Sequence, residues 1–81
     1  MLEVQLTGLL QDAADGAVSV SVTAGTIREL LRKLVERYPA MQARIDEGVA
    51  VSINGEIYRD NWSEPIPADA EIFLLPRIQG G

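Results

Sequence analysis

The residues with chemistry within reach are the last two, Gly80-Gly81. A terminal carboxylate has an ordinary pKa of about 3.5, so it is ionised at pH 7 and can attack a nucleotide phosphate once aligned. Carboxylates are unreactive as acyl groups until a leaving group such as AMP is attached. A sulfur nucleophile could then displace AMP and leave a thiocarboxylate. Glycine at both positions lets a narrow adenylating channel approach the carbonyl without a Cβ clash. The alternative is a frayed end with no task. The choice depends on whether the preceding chain makes a fold that points these residues outward.

No other group of residues offers a rival chemistry. The 81-residue chain has no cysteine and no histidine. Disulfides, thiolate chemistry, Ser-His and Cys-His nucleophile systems and the commonest metal ligand are therefore all excluded. Asp46-Glu47 is an adjacent carboxylate pair, and neighbours on a helix or strand do not converge on one substrate atom. Asp12 and Asp15 lack the ligand spacing of a calcium loop, and the glycines are too scattered to cradle phosphate. Ser19, Ser21, Ser52 and Ser63 have no histidine to activate them. Trp62 is either a lid over one end of the core or an exposed anchor for a partner.

The elements that must position the terminus are legible from periodicity. Leu2, Val4 and Leu6 alternate with polar residues, as do Val18, Val20 and Val22. Two such runs around the polar turn or loop Gln11–Gly16 predict an antiparallel hairpin with one buried face. Thr26 and Glu29 form a capping box. Ile27, Leu30, Leu31, Leu34, Val35 and Tyr38 then make a single apolar stripe on a helix that Pro39 ends. Residues 40–45 predict at most a short helical turn. Val49, Val51 and Ile53 alternate up to Asn54-Gly55, a strong hairpin signal, and Ile57-Tyr58 begins a short return strand. Pro65 and Pro67 confine the next stretch to irregular structure. Ile72-Phe73-Leu74-Leu75 is a continuous apolar run, as expected of a strand buried on both faces.

The predicted order is β-β-α-β-β-β, an α+β sheet of four to five strands packed on one main helix. Placing the last strand centrally, parallel to the first, covers its apolar run on both sides, and the result is the β-grasp (ubiquitin-like) arrangement. Residues 1–76 then form one domain, and 77–81 form a flexible tail. That tail extends at most about 17 Å at full stretch, enough to enter a neighbouring protein's cleft.

The bulk numbers agree with one small domain. A chain this short buries only about 60–65% of its unfolded surface, and with 47% hydrophobic residues it can form one core. The net charge of −5 weighs against nucleic acid and anionic membrane surfaces as partners. Arg28, Arg32, Lys33 and Arg37 cluster on the main helix, whereas Asp46, Glu47, Glu56, Asp60, Glu64, Asp69 and Glu71 are opposed within their segment by Arg59 alone. That acidic segment is either ordinary solvated surface or a docking face for a basic partner. No stretch approaches the ~20 apolar residues of a membrane span, and Met1–Gln5 lacks the basic and apolar regions of a signal peptide. The expectation is a soluble, cytoplasmic protein.

The whole chain resembles the MoaD/ThiS family of ubiquitin-like sulfur carrier proteins. The resemblance rests on the element order, on Val51-Ser52-Ile53-Asn54-Gly55-Glu56, and above all on Ile72-Phe73-Leu74-Leu75-Pro76-Arg77-Ile78-Gln79-Gly80-Gly81. It implies a carrier, not an enzyme, whose Gly81 is adenylated with ATP by a ubiquitin-activating-like adenylyltransferase. Conversion to a thiocarboxylate follows, and the sulfur passes to an accepting synthase. The chain itself would bind no cofactor or metal. Gly81 is the sulfur-bearing position and Gly80 the required small neighbour; Gln79, Ile78, Arg77, Pro76 and Leu74 are candidate contacts of the tail and interface. Two stretches depart from the family pattern: Pro67-Ala68-Asp69-Ala70-Glu71 stands where an Asp-Gly-Asp turn is usual, and Thr7-Gly8-Leu9-Leu10 replaces an aromatic and basic strand end. Both bear on the pathway served. Length leans toward the molybdopterin-type carriers, with thiamine-type and cysteine-synthesis carriers as alternatives. Two other functions fit the same residues: a ubiquitin-like modifier conjugated to lysines through Gly81, and a β-grasp binding module with an incidental tail.

Overall fold

The computed structural model describes residues 2–59 and 61–76. Along the chain these form β1 (Leu2–Leu6), α1 (Leu9–Ala13), β2 (Ser19–Val22), α2 (Ile27–Arg37), α3 (Met41–Glu47), β3 (Val49–Ile53), β4 (Glu56–Tyr58) and β5 (Glu71–Pro76). The five strands make one mixed sheet in the order β2-β1-β5-β3-β4. β5 lies in the middle, parallel to β1 and antiparallel to β3. The final strand is therefore hydrogen-bonded along both edges, as the sequence order predicted.

Helix α2 is held at both ends and along one flank. The Thr26 hydroxyl accepts from the Glu29 amide at 3.2 Å, and the Glu29 carboxylate reaches back to the Gly25 amide at 2.6 Å. The remaining first-turn amides are satisfied by the loop before β5: Ile27 N–H donates to Glu64 O at 3.2 Å and Arg28 N–H to Trp62 O at 2.9 Å. Each of these would otherwise be an orphan donor at a helix start. On the flank, Lys33 donates to the Thr23 carbonyl, and Arg37 to the Ser21 carbonyl at 2.9 Å. These bonds occupy acceptors of the edge strand β2 that could otherwise pair with another chain. The apolar stripe faces the sheet, where Ile27, Leu30 and Leu34 lie fully buried against Val4, Val51 and Ile72 in one core cluster.

Three local expectations are corrected. The stretch expected as a loop after β1 contains α1, because Leu10, Ala13 and Ala14 recur at i, i+3 and i+4 and all three are buried. A five-residue helix is far too short to persist alone. Burial of Leu10 sustains it, and the turn at Asp15 (φ 57°) and Gly16 (φ 87°) ends it. The short turn expected from residue 40 is a full helix to Glu47, anchored by buried Met41 and Ile45. Finally, β5 is not buried on both faces. Ile72 and Leu74 are in the core, whereas Phe73 and Leu75 are only half-buried. The helices cover one face of the sheet, so alternate residues of the apolar run must face outward.

Candidate functional site: the exit of the central strand

The site begins where β5 ends. Leu74 pairs with Leu6 on one side and Val51 on the other, and Pro76 pairs with Val49 at the last register position. Thr7 Oγ1 donates to the Leu74 carbonyl at 3.3 Å, and Gln11 Nε2 donates to the Leu6 carbonyl at 2.9 Å. The connection from β1 to α1 is thereby fixed beside the exit. Gly8 adopts φ 57° there, and a Cβ placed on it would lie 3.8 Å from Pro76 Cγ. Two large apolar side chains at this end of the sheet are turned to solvent: Leu9 is 55% exposed and Val18 is 63% exposed.

The open face of the sheet continues this apolar surface. Cross-strand neighbours share a face, so the register aligns Gln5, Phe73, Ser52 and Ile57 in one row and Leu75 with Ala50 in the next. Ile57 is 54% exposed. Phe73 and Leu75 thus form a stripe that runs along the uncovered face toward Pro76. Aromatic and large apolar groups grouped in this way mark interaction surfaces better than isolated ones do. Reading the apolar run as doubly buried concealed both residues. The available signal was the single long helix, which can cover only one side of a five-stranded sheet.

The candidate contacts fall into three groups. Leu74 has no exposure at all, so it anchors the strand from the core and is corrected as a partner contact. Pro76 is half-buried at the exit. Arg77, Ile78, Gln79, Gly80 and Gly81 lie outside the described residues.

Electrostatics add no catalytic centre. Among the described residues, no cluster of three or more potential metal ligands occurs, and no helix is long and apolar enough to cross a membrane. Four of the acids in the second half are bound locally. Asp46 accepts from Gln42 at 2.8 Å, Glu47 from Arg44 at 2.8 Å, Glu56 from Tyr58 at 2.6 Å and Glu64 from Asn61 at 3.0 Å. The bond to Glu56, chiefly, pushes the Tyr58 phenol up to about 12.

A mixed sheet with a central parallel pair, two flanking hairpins and a helix packed across one face is the ubiquitin-like β-grasp. The sequence model of the ThiS family matches residues 4–81. The chain belongs to the ThiS family. Solved structures agree across almost the whole length. SAMP1 from Haloferax volcanii superposes with a TM-score of 0.79 at 29% identity, covering 99% of this chain and 98% of that one. CysO in the Amycolatopsis orientalis BexX/CysO complex superposes with a TM-score of 0.81 at 19% identity, with both chains fully covered. A structure from Pyrococcus furiosus described as a molybdopterin converting factor subunit gives 0.74 at 17% identity, covering 95% and 97%. At these lower identities the likeness speaks to the fold. No curated protein sequence matches the chain.

Proposed function

We propose that the protein is a sulfur carrier whose Gly81 carboxylate is activated and converted to a thiocarboxylate by partner enzymes. The observation that carries this reading is the central place of β5. It is paired with β1 as far as Leu74 and with β3 as far as Pro76, and the sequence then runs Arg77-Ile78-Gln79-Gly80-Gly81. A rigid strand leading into a short segment that ends in two side-chain-free residues suits delivery of an acyl group into another protein's active site.

In this reading a Gly81 carboxylate oxygen attacks the α-phosphorus of ATP held by an adenylyltransferase, and pyrophosphate leaves. A sulfur nucleophile then adds to the acyl carbon and AMP departs. The chain supplies the acyl group and the binding surface, and the partner supplies the catalytic residues. Phe73 and Leu75 are the groups through which the partner would hold the domain while Gly81 reacts. Family membership supports the carrier role; the pathway served is left to the identity of the accepting synthase, with molybdopterin, thiamine and cysteine synthesis as the choices.

A second reading has its own support. SAMP1, the relative at 29% identity, carries the name small archaeal modifier protein 1. On that reading the activated Gly81 is transferred to lysine amines of target proteins. Co-expression with an adenylating enzyme from the same genome, followed by intact-mass measurement, separates the two. A product with one oxygen exchanged for sulfur supports the carrier, and isopeptide adducts without it support the modifier. If neither product nor an adenylate forms with any such enzyme, both readings fail.

A further inference from the structure

An activated carboxyl is spent on the first strong nucleophile that reaches it. When an uncharged amine adds to the acyl carbon of an adenylate or a thioester, a C–N bond forms. The bond to AMP or to the thiol sulfur breaks, and the amine proton passes to solvent. The 81 residues contain one lysine, Lys33, and neither cysteine nor histidine. Lys33 is therefore the one side-chain amine with which the chain could consume its own activated terminus.

The sheet sets the distance between them. Lys33 lies on α2 and donates to the carbonyl of Thr23, the residue just past the end of β2. β2 is antiparallel to β1, and β1 is parallel to β5, so β2 finishes at the end of the sheet opposite the β5 exit. Val22 pairs with Leu2 and Glu3 with Glu71, so Val22 stands level with Ala70, six residues short of Pro76. At ~3.3 Å per residue along a strand and ~4.8 Å between neighbouring strands, Val22 and Pro76 are about 22 Å apart, and Thr23 lies beyond Val22. The five residues that follow Pro76 span at most about 17 Å. Even fully stretched, they fall short of an amine held at Thr23. The exit itself is chemically quiet. The Thr7 hydroxyl there donates its proton to the Leu74 carbonyl at 3.3 Å. The chain has no histidine to take that proton away, so the hydroxyl stays a weak nucleophile. Leu9 and Val18, the large side chains exposed at this end, carry no nucleophilic atom.

We infer that the placing of Lys33 reserves the activated Gly81 for acceptors on other molecules. The Thr23 bond and the length of the sheet together keep the chain's one side-chain amine out of reach of its own terminus. Lys33 is thus a positioning residue for acyl transfer, in addition to shielding the β2 edge. The inference rests on the reading of Gly81 as a group that is activated in use. It applies equally whether the acyl group then passes to sulfur or to a target lysine. In both cases the acceptor is a nucleophile carried by a second molecule.

The test uses the full chain with Gly81 converted chemically to a thioester, so that no partner enzyme is needed. In dilute solution the thioester is expected to disappear by hydrolysis alone, at the rate of an acetyl-Ile-Gln-Gly-Gly thioester. Lys33→Arg should behave identically. A lysine moved to the exit should change the outcome. Leu9 and Val18 are 55% and 63% exposed, so Leu9→Lys and Val18→Lys do not disturb the core, and two positions guard against a variant that fails to fold. A Cβ on Gly8, next to Leu9, would lie 3.8 Å from Pro76 Cγ. Val18 is bonded to Leu6, the partner of Leu74. Each variant should lose its thioester roughly tenfold faster or more, because the amine now reacts within the molecule. The product should be lighter than the hydrolysed protein by one water, with the link mapped to the introduced lysine by fragmentation. A Lys33–Gly81 link in the unsubstituted protein overturns the inference. Purely hydrolytic loss from both folded lysine variants also overturns it, because distance would then not be the protection. Failure of the Gly81 reading shows separately, as no pyrophosphate release with an adenylating enzyme and ATP, and does not alter the thioester result.

Discussion

Asn54 and Glu71 are joined by two hydrogen bonds that tie the β3–β4 turn to the first residue of β5. Asn54 N–H donates to Glu71 O at 2.9 Å, and Glu71 N–H donates to Asn54 Oδ1 at 2.9 Å. Asn54 sits at φ 50° and Gly55 at φ 91°, the positive values that a two-residue hairpin turn requires. One side chain therefore satisfies the turn and pins the start of the central strand. From that point the pairing of Ile53 with Ile72 runs without interruption to that of Val49 with Pro76. A device at one end of the strand thus sets the register at its exit.

The two roles of Asn54 can be separated. Asn54→Gly keeps the turn conformation and loses the side-chain acceptor, and should cost about 0.5–1.5 kcal/mol of stability. Asn54→Ala loses the acceptor and also strains the left-handed backbone, for about 1 kcal/mol more. Urea unfolding of both variants checks the order; equal losses would mean that the backbone conformation adds nothing to the role of Asn54.

Leu34 tests the helix–sheet core. It is fully buried on the α2 face that meets the sheet. Leu34→Ala should lower the unfolding free energy by about 2–5 kcal/mol, the range for a truncated core leucine. In a small domain this is a large share of total stability. A loss under about 1 kcal/mol, read by chemical denaturation, would place Leu34 outside the core, since surface changes seldom exceed half that.

How far the sequence could be read depended on whether a signal was local. The Thr26–Glu29 cap, the stripe from Ile27 to Leu34 and the Asn54-Gly55 turn are short-range patterns, and each appears where expected. The central place of β5 followed from its apolar run and the need to cover it. Helix α1 was missed because Leu10 stabilises it only through contacts made in the finished core. Phe73 and Leu75 were misassigned because local hydrophobicity does not say which face of a strand is covered. That the Trp62 indole nitrogen is buried with no acceptor among the described residues was invisible for the same reason: a groove beside it is lined by α2 and α3, not by its neighbours in sequence. Gly80 and Gly81 were named from the sequence and lie outside the described residues; what the structure adds is the pairing of β5 on both edges ahead of them.

Tyr58 should show its environment in a pH titration. Its phenol is raised above the usual 10.0 to about 12, first because it donates to Glu56 and then through partial desolvation and the negative charge nearby. A raised folded-state pKa means that the folded protein favours the neutral phenol. The associated stabilisation is complete below pH 10.0 and disappears as pH rises through about 12. Absorbance at the tyrosinate band should show one late-ionising group in the native protein. Glu56→Gln should bring that group down toward its ordinary value; an unchanged titration would mean that the Glu56 bond is not the cause.

The open sheet face should matter to partners more than to folding. Phe73 is half-buried between Gln5 and Ser52 on a surface that no helix covers. Phe73→Gln should therefore cost no more than about 1 kcal/mol, the span of strand preferences in a host sheet. If a partner holds this face during activation of Gly81, the same substitution should weaken the complex by roughly tenfold or more, as loss of an aromatic anchor does. Deletion of Gly81 should give the complementary result: no activated product, near-unchanged thermal stability and binding largely retained. Terminal residues add little folding energy unless docked. Measuring adenylate formation, melting temperature and partner affinity on both variants separates docking from chemistry. A Phe73→Gln protein that binds and is activated normally would remove the sheet face from the mechanism, and a Gly81 deletion that still forms the activated product would remove the terminus.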